Sequence, residues 1–189
     1  MDYQKLFNEE IDKASIAAWR SSGKKALGIV CCHVPQEILH AADILPLRLR
    51  ATGCEDYSEA EVWMSSFSCS FAKSILQYLI DNVYDLDGLV TSDGCMQAVR
   101  IYDNWKAASK EAGKEQHVYE IGAPRMNSAT TKQYYKAELN ILKEEMEKLS
   151  GNTVTDEKLM KSIEVYNEQR RLVKELLALQ KADKPVVTG

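Results

Sequence analysis

No apolar run in this chain of 189 residues approaches the roughly 20 residues needed to cross a bilayer, so no membrane span is expected. Met1-Asp2-Tyr3-Gln4-Lys5 lacks the basic-then-apolar layout of a signal peptide, and the expected compartment is the cytoplasm. No basic stripe interleaved with aromatics is present, and the formal net charge is -4, which argues against nucleic acid as the main partner. The first strand-like run is not followed by GxGxxG, so a dinucleotide site is unsupported. There is no Walker-type phosphate loop and no GxSxG elbow, which removes ATP hydrolysis by this chain and the α/β-hydrolases. The 3 histidines are too scattered for a zinc-hydrolase helix. No internal repeat or low-complexity segment stands out. The 5 cysteines are odd in number, in a chain neither short nor loop-rich, so a disulfide framework is not expected.

What is present is ordinary globular material, 45% hydrophobic and 28% charged, enough for one domain with its own core. Tyr3, Leu6, Phe7, Ile11, Ala14 and Ala18 recur near a helical period over residues 3–20, with Gly23 as a stop. Ala26 to Cys32 is a nearly continuous apolar run, expected of a buried parallel strand. Pro35 suits the first turn of a helix that continues through Glu37, Ile38, Leu39, Ala41 and Ala42. Leu45 to Arg50 alternates as a second strand, and Pro46 favours a sheet edge. A polar stretch around Gly53-Cys54-Glu55-Asp56 leads to Trp63. A helix from Cys69 to Asn82, a strand from Asp87 to Ser92, a helix from Gln97 to Glu111 and a strand from His117 to Ile121 follow.

This alternation predicts an α/β fold: a Rossmann-like parallel sheet flanked by helices, preceded by an N-terminal helix. After Pro124 the pattern becomes helical. Tyr135, Leu139, Leu142, Met146 and Leu149 mark one helix ended by Gly151. Thr155 caps another that carries Leu159, Ile163, Tyr166, Val173 and Leu177. The two are expected to form an antiparallel pair on the sheet domain or on a partner. The expected organisation is residues 1–125 as helix plus α/β domain, 126–182 as the helical pair, and 183–189 as a linker to a second domain.

Cys69 and Cys95, 26 residues apart, each stand where a strand-like segment yields to a helix-like one. Thiols at such junctions of a parallel sheet converge on its ligand-binding edge. A helix N-terminus favours the thiolate, the form that ligates iron–sulfur clusters and structural zinc. Buried core cysteines are the plainer alternative, and spacing alone does not separate the two. Cys31-Cys32-His33 closes the first strand. Neighbours on a strand face opposite sides, so Cys31 and Cys32 are not expected to serve one metal. The plainer reading makes Cys31 core and lets Cys32 line the turn. Cys54 is read as incidental and His40 as structural. Cys32 and Glu37 are the catalytic candidates, each on condition that it faces the crevice; Glu37 otherwise stabilises a first helical turn.

Four segments, in order, resemble the 2-hydroxyacyl-CoA dehydratase family, which includes benzoyl-CoA reductase subunits. The first runs from Gly28 to Ala42 with Leu45-Pro46-Leu47-Arg48. The second is Ser65-Ser66-Phe67-Ser68-Cys69-Ser70-Phe71-Ala72-Lys73-Ser74. The third joins Leu86-Asp87-Gly88-Leu89-Val90 to Cys95 and to Arg100 through Lys106. The fourth is Tyr166-Asn167-Glu168-Gln169-Arg170. The resemblance implies that Cys69 and Cys95 are two ligands of a [4Fe-4S] cluster, with a third cysteine from a second α/β domain that has no matching position here. Met96 stands where the family usually has Asp. The implied activity is a lyase reaction: water leaves a 2-hydroxyacyl-CoA through a ketyl radical, using an electron from an ATP-dependent iron–sulfur activator protein. The implied partners are an acyl-CoA substrate, that activator and a related dehydratase subunit, and a fragment of this length is expected to be inactive alone. Two rivals remain: a non-catalytic α/β binding or assembly module of a related reductase complex, and a zinc domain using Cys69, Cys95 and one of Cys31, Cys32 or His33.

Overall fold

The computed structural model describes residues 11–114 and 116–181, with side chains from Ile16 onward. The start of the expected N-terminal helix and the expected linker 183–189 lie outside the described residues. The elements are α1 (Ile11–Ser21), β1 (Ala26–Ile29), α2 (Gln36–Ala41), β2 (Leu45–Arg48), α3 (Ser58–Trp63), α4 (Ser70–Ile80), β3 (Gly88–Ser92), α5 (Met96–Glu111), β4 (His117–Ile121), α6 (Ala129–Ser150) and α7 (Asp156–Ala178).

Four strands form one parallel sheet in the order β2-β1-β3-β4. β2 is an edge strand, which accommodates Pro46 because its missing N–H faces no neighbour. β1 and β3 pair in the centre with Gly28 opposite Leu89 and Ile29 opposite Val90. Alternation along these strands feeds two cores. Ala26, Val30 and Leu89 join Ile16, Ala72, Ile75, Leu76, Ala98 and Ile101, beneath α1, α4 and α5. Leu27, Ile29 and Val90 join Ile38, Leu39, Leu142 and Met146, beneath α2 and α6. The sheet is therefore covered on both faces, which explains why β1 and β3 are buried at every position.

Local chemistry sets several boundaries where the sequence places them. Gly23 and Gly151 take the left-handed conformation at helix ends, with φ of 77° and 73°. The Thr155 side chain accepts a hydrogen bond from the Lys158 N–H, capping α7. Ser128 and Thr131 cap α6 reciprocally.

One expectation needs correction. The first strand ends at Ile29, not Cys32: Cys31 has φ of 88°, which no extended strand tolerates, and Cys31 to Val34 form a turn. The polar stretch is followed by a short helix, α3, to which the sequence pattern assigns no element and whose only buried side chain is Ala60. The principal contacts of the two C-terminal helices are with other elements rather than with each other. α6 lies on β4 and α2, while α7 lies on α2.

Candidate functional site

In a parallel sheet the connecting helices run back against the strands, so each helix begins at the strands' C-terminal edge. α4 leads into β3, and α5 leads from β3 to β4; the two helices pack on each other. Cys69 is the N-cap of α4 and Cys95 the N-cap of α5. Neither side chain caps its own helix, and both are exposed free thiols. Among the described residues no hydrogen-bond partner engages either sulfur. The alternative reading of these two as buried core cysteines is set aside. Exposed apolar residues flank them in the chain: Phe67 is 96% exposed, Phe71 50% and Met96 60%. Large apolar side chains at this exposure, beside two free thiols, form a surface suited to being covered.

The same edge carries the turn after β1. The connections from β1 to β2 and from β3 to β4 diverge in opposite directions, so the gap between β1 and β3 is the sheet's topological switch point. Cys31, Cys32 and His33 fill the β1 side of that gap, and their ligand atoms all lie within 4.8 Å of one another. Cys31 Sγ is 3.3 Å from His33 Nδ1. This corrects the expectation that Cys31 and Cys32 point to opposite faces: the left-handed residue at Cys31 ends the strand alternation before it applies. Cys31 is half-buried rather than core, and Cys32 is exposed in the turn.

The turn is held from three sides. Tyr135 Oη of α6 donates to the His33 carbonyl at 3.1 Å, and Arg48 of β2 donates to the Cys31 carbonyl at 3.4 Å. From the β3 side, Gly94 lies so close that a Cβ there would stand 2.7 Å from His33 Nδ1 and 3.2 Å from Ser92 Oγ. Glycine at this position lets the imidazole approach the β3–α5 turn. Because Cys95 is the next residue, the same contact places the Cys31–His33 turn and Cys95 on neighbouring loops. Burial pushes the Cys31 thiol up, but hydrogen bonds from the Ser92 hydroxyl and from His33, together with the His33 charge, outweigh it and bring the thiol down to about 7. Sequence reasoning missed Ser92, Gly94, Arg48 and Tyr135 as contributors. The one signal for them was a small residue immediately before a helix that starts at a strand end.

Glu37 and His40 take other roles. Glu37 sits in the first turn of α2, its side chain only 15% exposed, and is ion-paired with Arg170 of α7. His40 Nδ1 is 2.8 Å from Ser162 Oγ, and its ring meets Tyr166 edge-on with centroids 5.7 Å apart. Ser162, Tyr166 and Arg170 are spaced four apart, one face of α7. Cys54 donates to the Asp56 carbonyl within its own loop, at 3.3 Å. A cavity of about 580 Å³ lies at the opposite edge among Arg20, Lys25, Asp87 and His117, away from the cysteines.

The family profile described as "2-hydroxyglutaryl-CoA dehydratase, D-component" matches residues 31–189. The chain belongs to the 2-hydroxyglutaryl-CoA dehydratase D-component family. All five cysteines fall within the matched residues. Three similar relatives are the β subunit of (R)-2-hydroxyglutaryl-CoA dehydratase of Acidaminococcus fermentans, a benzoyl-CoA reductase subunit of Thauera aromatica, and the β subunit of (R)-phenyllactyl-CoA dehydratase of Clostridium sporogenes. The first is 27% identical over 169 residues, covering 88% of this chain and 44% of the relative. The second is 29% identical over 176 residues, covering 91% and 45%. The third is 26% identical over 169 residues, covering 88% and 44%. The chain thus spans less than half the length of these curated relatives. No helix among the described residues is long and apolar enough to cross a membrane.

Proposed function

We propose that this chain is the N-terminal α/β part of an iron–sulfur 2-hydroxyacyl-CoA dehydratase-like subunit, in which Cys69 and Cys95 ligate a [4Fe-4S] cluster. The observation that carries this reading is the placement of both free thiols as N-caps of adjacent helices, at one sheet edge, in a chain of this family. The residues fit such a group. Thiolates are its usual ligands, neither sulfur is engaged elsewhere among the described residues, and free backbone N–H groups at two helix starts favour negative charge there. The cluster, when bound, supplies one-electron chemistry and an iron that can act as Lewis acid toward a substrate oxygen.

The chain's own side chains then hold and shelter. Cys69 and Cys95 anchor the group from two helices whose mutual packing fixes their separation. Phe67, Phe71 and Met96 give an apolar collar that excludes water once another protein surface closes over it. Cys32 lies exposed at the switch point, where a substrate would enter. Glu37 is placed by its Arg170 pair as a structural residue, and no acid–base step is assigned to it. The third cysteine ligand, the acyl-CoA site and the docking of an ATP-dependent activator are assigned to parts beyond these residues, with a related subunit as partner; relatives are themselves named as subunits. The organisation proposed is a sheet domain over 1–125, helices over 126–182 and a connection over 183–189.

The test is anaerobic iron and acid-labile sulfide analysis of the full-length gene product beside a Cys69→Ala variant. Iron and sulfide in the wild type, lost in the variant, are the expected result. Iron-free protein purified without oxygen overturns the cluster reading. The second reading, a non-catalytic assembly module, is favoured by one observation: Leu172, Val173, Leu176, Leu177 and Leu179 stand exposed along the end of α7 and the turn after it.

A further inference from the structure

The turn after β1 holds no ligand of the cluster proposed above, yet it is the one place among the described residues where three metal-ligating side chains converge. We infer that Cys31, Cys32 and His33 form a second metal site, for a single soft divalent cation of the zinc class, distinct from the Cys69–Cys95 pair.

The geometry matches that class. Zinc bonds thiolate sulfur at about 2.3 Å and imidazole nitrogen at about 2.0–2.1 Å, so a sulfur and a nitrogen on one tetrahedral ion lie about 3.5 Å apart. Cys31 Sγ and His33 Nδ1 are already 3.3 Å apart, and all three ligand atoms fall within 4.8 Å, so small side-chain rotations close the set. Two thiolates and an imidazole select zinc-like ions and exclude calcium and magnesium, which require oxygen ligands.

The backbone is arranged for convergence. Three consecutive residues can ligate one ion only if the chain reverses among them, and the left-handed conformation at Cys31 (φ of 88°) supplies that reversal at a non-glycine residue. Such strain persists only where the surroundings enforce it. Here Tyr135 and Arg48 hold the two carbonyls of the turn, and Gly94 gives the imidazole its place. A fourth position is left toward the crevice, because Cys32 is exposed and Cys31 only half-buried. Three protein ligands and an open position are the pattern of a zinc site that exchanges water for an incoming ligand.

The test uses Co2+, whose thiolate charge-transfer absorption reports sulfur ligation directly, on reduced, metal-free, full-length protein. The background is the double variant Cys69→Ser, Cys95→Ser, so the proposed cluster ligands contribute nothing; serine is itself a good N-cap, which favours retention of α4 and α5. A thiolate–cobalt band saturating at one equivalent is expected there. It should be lost on adding Cys32→Ser, and equally on adding His33→Asn, with the far-UV circular dichroism unchanged. Adding Cys54→Ser should leave it intact. Absence of the band in the double variant, or its survival through Cys32→Ser, overturns the second site. Iron lost in Cys69→Ala while cobalt still binds the Cys69→Ser, Cys95→Ser protein shows the two sites to be independent. Each can therefore fail without the other.

Discussion

At the residue scale, two glycines show how differently one added methyl group can act. A Cβ on Gly88 would stand 2.0 Å from the His117 carbonyl oxygen, a backbone atom of the neighbouring strand. That atom cannot retreat without opening the β3–β4 ladder, in which Gly88 and His117 are partners. Gly88→Ala should therefore cost about 3 kcal/mol, the upper part of the range for overpacking, seen as a large fall in urea midpoint. The atoms nearest a Cβ on Gly94 belong to the His33 ring and the Ser92 hydroxyl, both ends of rotatable side chains. Gly94→Ala should cost less than about 1 kcal/mol. Its signature should be weaker Co2+ binding at the Cys31–His33 turn with a nearly unchanged urea midpoint. Equal midpoint losses in the two variants would remove the distinction between backbone and side-chain obstruction.

At the scale of elements, α7 is latched to α2 by polar and aromatic groups rather than by a deep apolar seam. Its only buried residue is Ser162. The latch consists of Glu37 with Arg170, His40 with Ser162, and the His40–Tyr166 ring contact. Burial lowers the pKa of His40; Asp43 partly raises it, and Lys161 and Lys24 lower it further. A histidine whose folded pKa lies below its unfolded value takes up its proton first in the unfolded chain. Its contribution is therefore complete above the unfolded value, about 6.5, and declines as pH falls through that value toward the folded one. Stability should drop as pH falls below about 6.5, and His40→Gln should flatten the drop. His117, also lowered by burial, contributes the same sign, so the comparison of wild type with His40→Gln isolates the latch. Parallel slopes in urea midpoint for the two proteins would exclude His40 as the source.

The latch also explains why sequence reading succeeded on some elements and not others. β4 runs from His117 to Ile121 as its pattern predicts, and Pro46 lies on the edge strand, because strand periodicity and the missing proline N–H act locally. The segment Tyr166 to Arg170 was legible as a motif, but its purpose was not. Its partners are more than a hundred residues away in sequence, and nothing local says that Tyr166 meets His40 or that Arg170 meets Glu37. The same limit applies to the helix pairing, since heptad-like apolar spacing shows that a face is buried but not against what. Cys31 failed for a different reason: an apolar run cannot reveal a left-handed residue within it. Cys95 was legible because a cysteine between a strand pattern and a helix pattern must lie near a sheet edge, whereas Cys69 follows α3 and a turn rather than a strand and reaches that edge only because α4 runs back into β3.

For the molecule as a whole, the two edges of the sheet divide the labour. At the C-terminal edge stand the exposed thiols and the strained turn. At the N-terminal edge, Asp87 ties three elements together: its carboxylate accepts from the Ala26 N–H at 2.8 Å, from Arg20 of α1 at 2.8 Å and from Lys25 at 3.3 Å. It is 15% exposed, so these bonds are little diluted by solvent. Asp87→Ala leaves the Ala26 amide without that acceptor and frees α1 from β3, at a cost of about 1–3 kcal/mol. The division predicts opposite outcomes for changes at the two edges. Asp87→Ala should lower the urea midpoint while leaving iron per folded full-length chain unchanged. Cys95→Ser should lower iron without lowering the midpoint of the iron-free protein, since the Cys95 side chain caps nothing in its own helix and serine is itself a good N-cap. A loss of iron in Asp87→Ala protein that is still folded by circular dichroism would show that the bottom of the sheet transmits strain to the thiols, and the two edges could no longer be treated as separate.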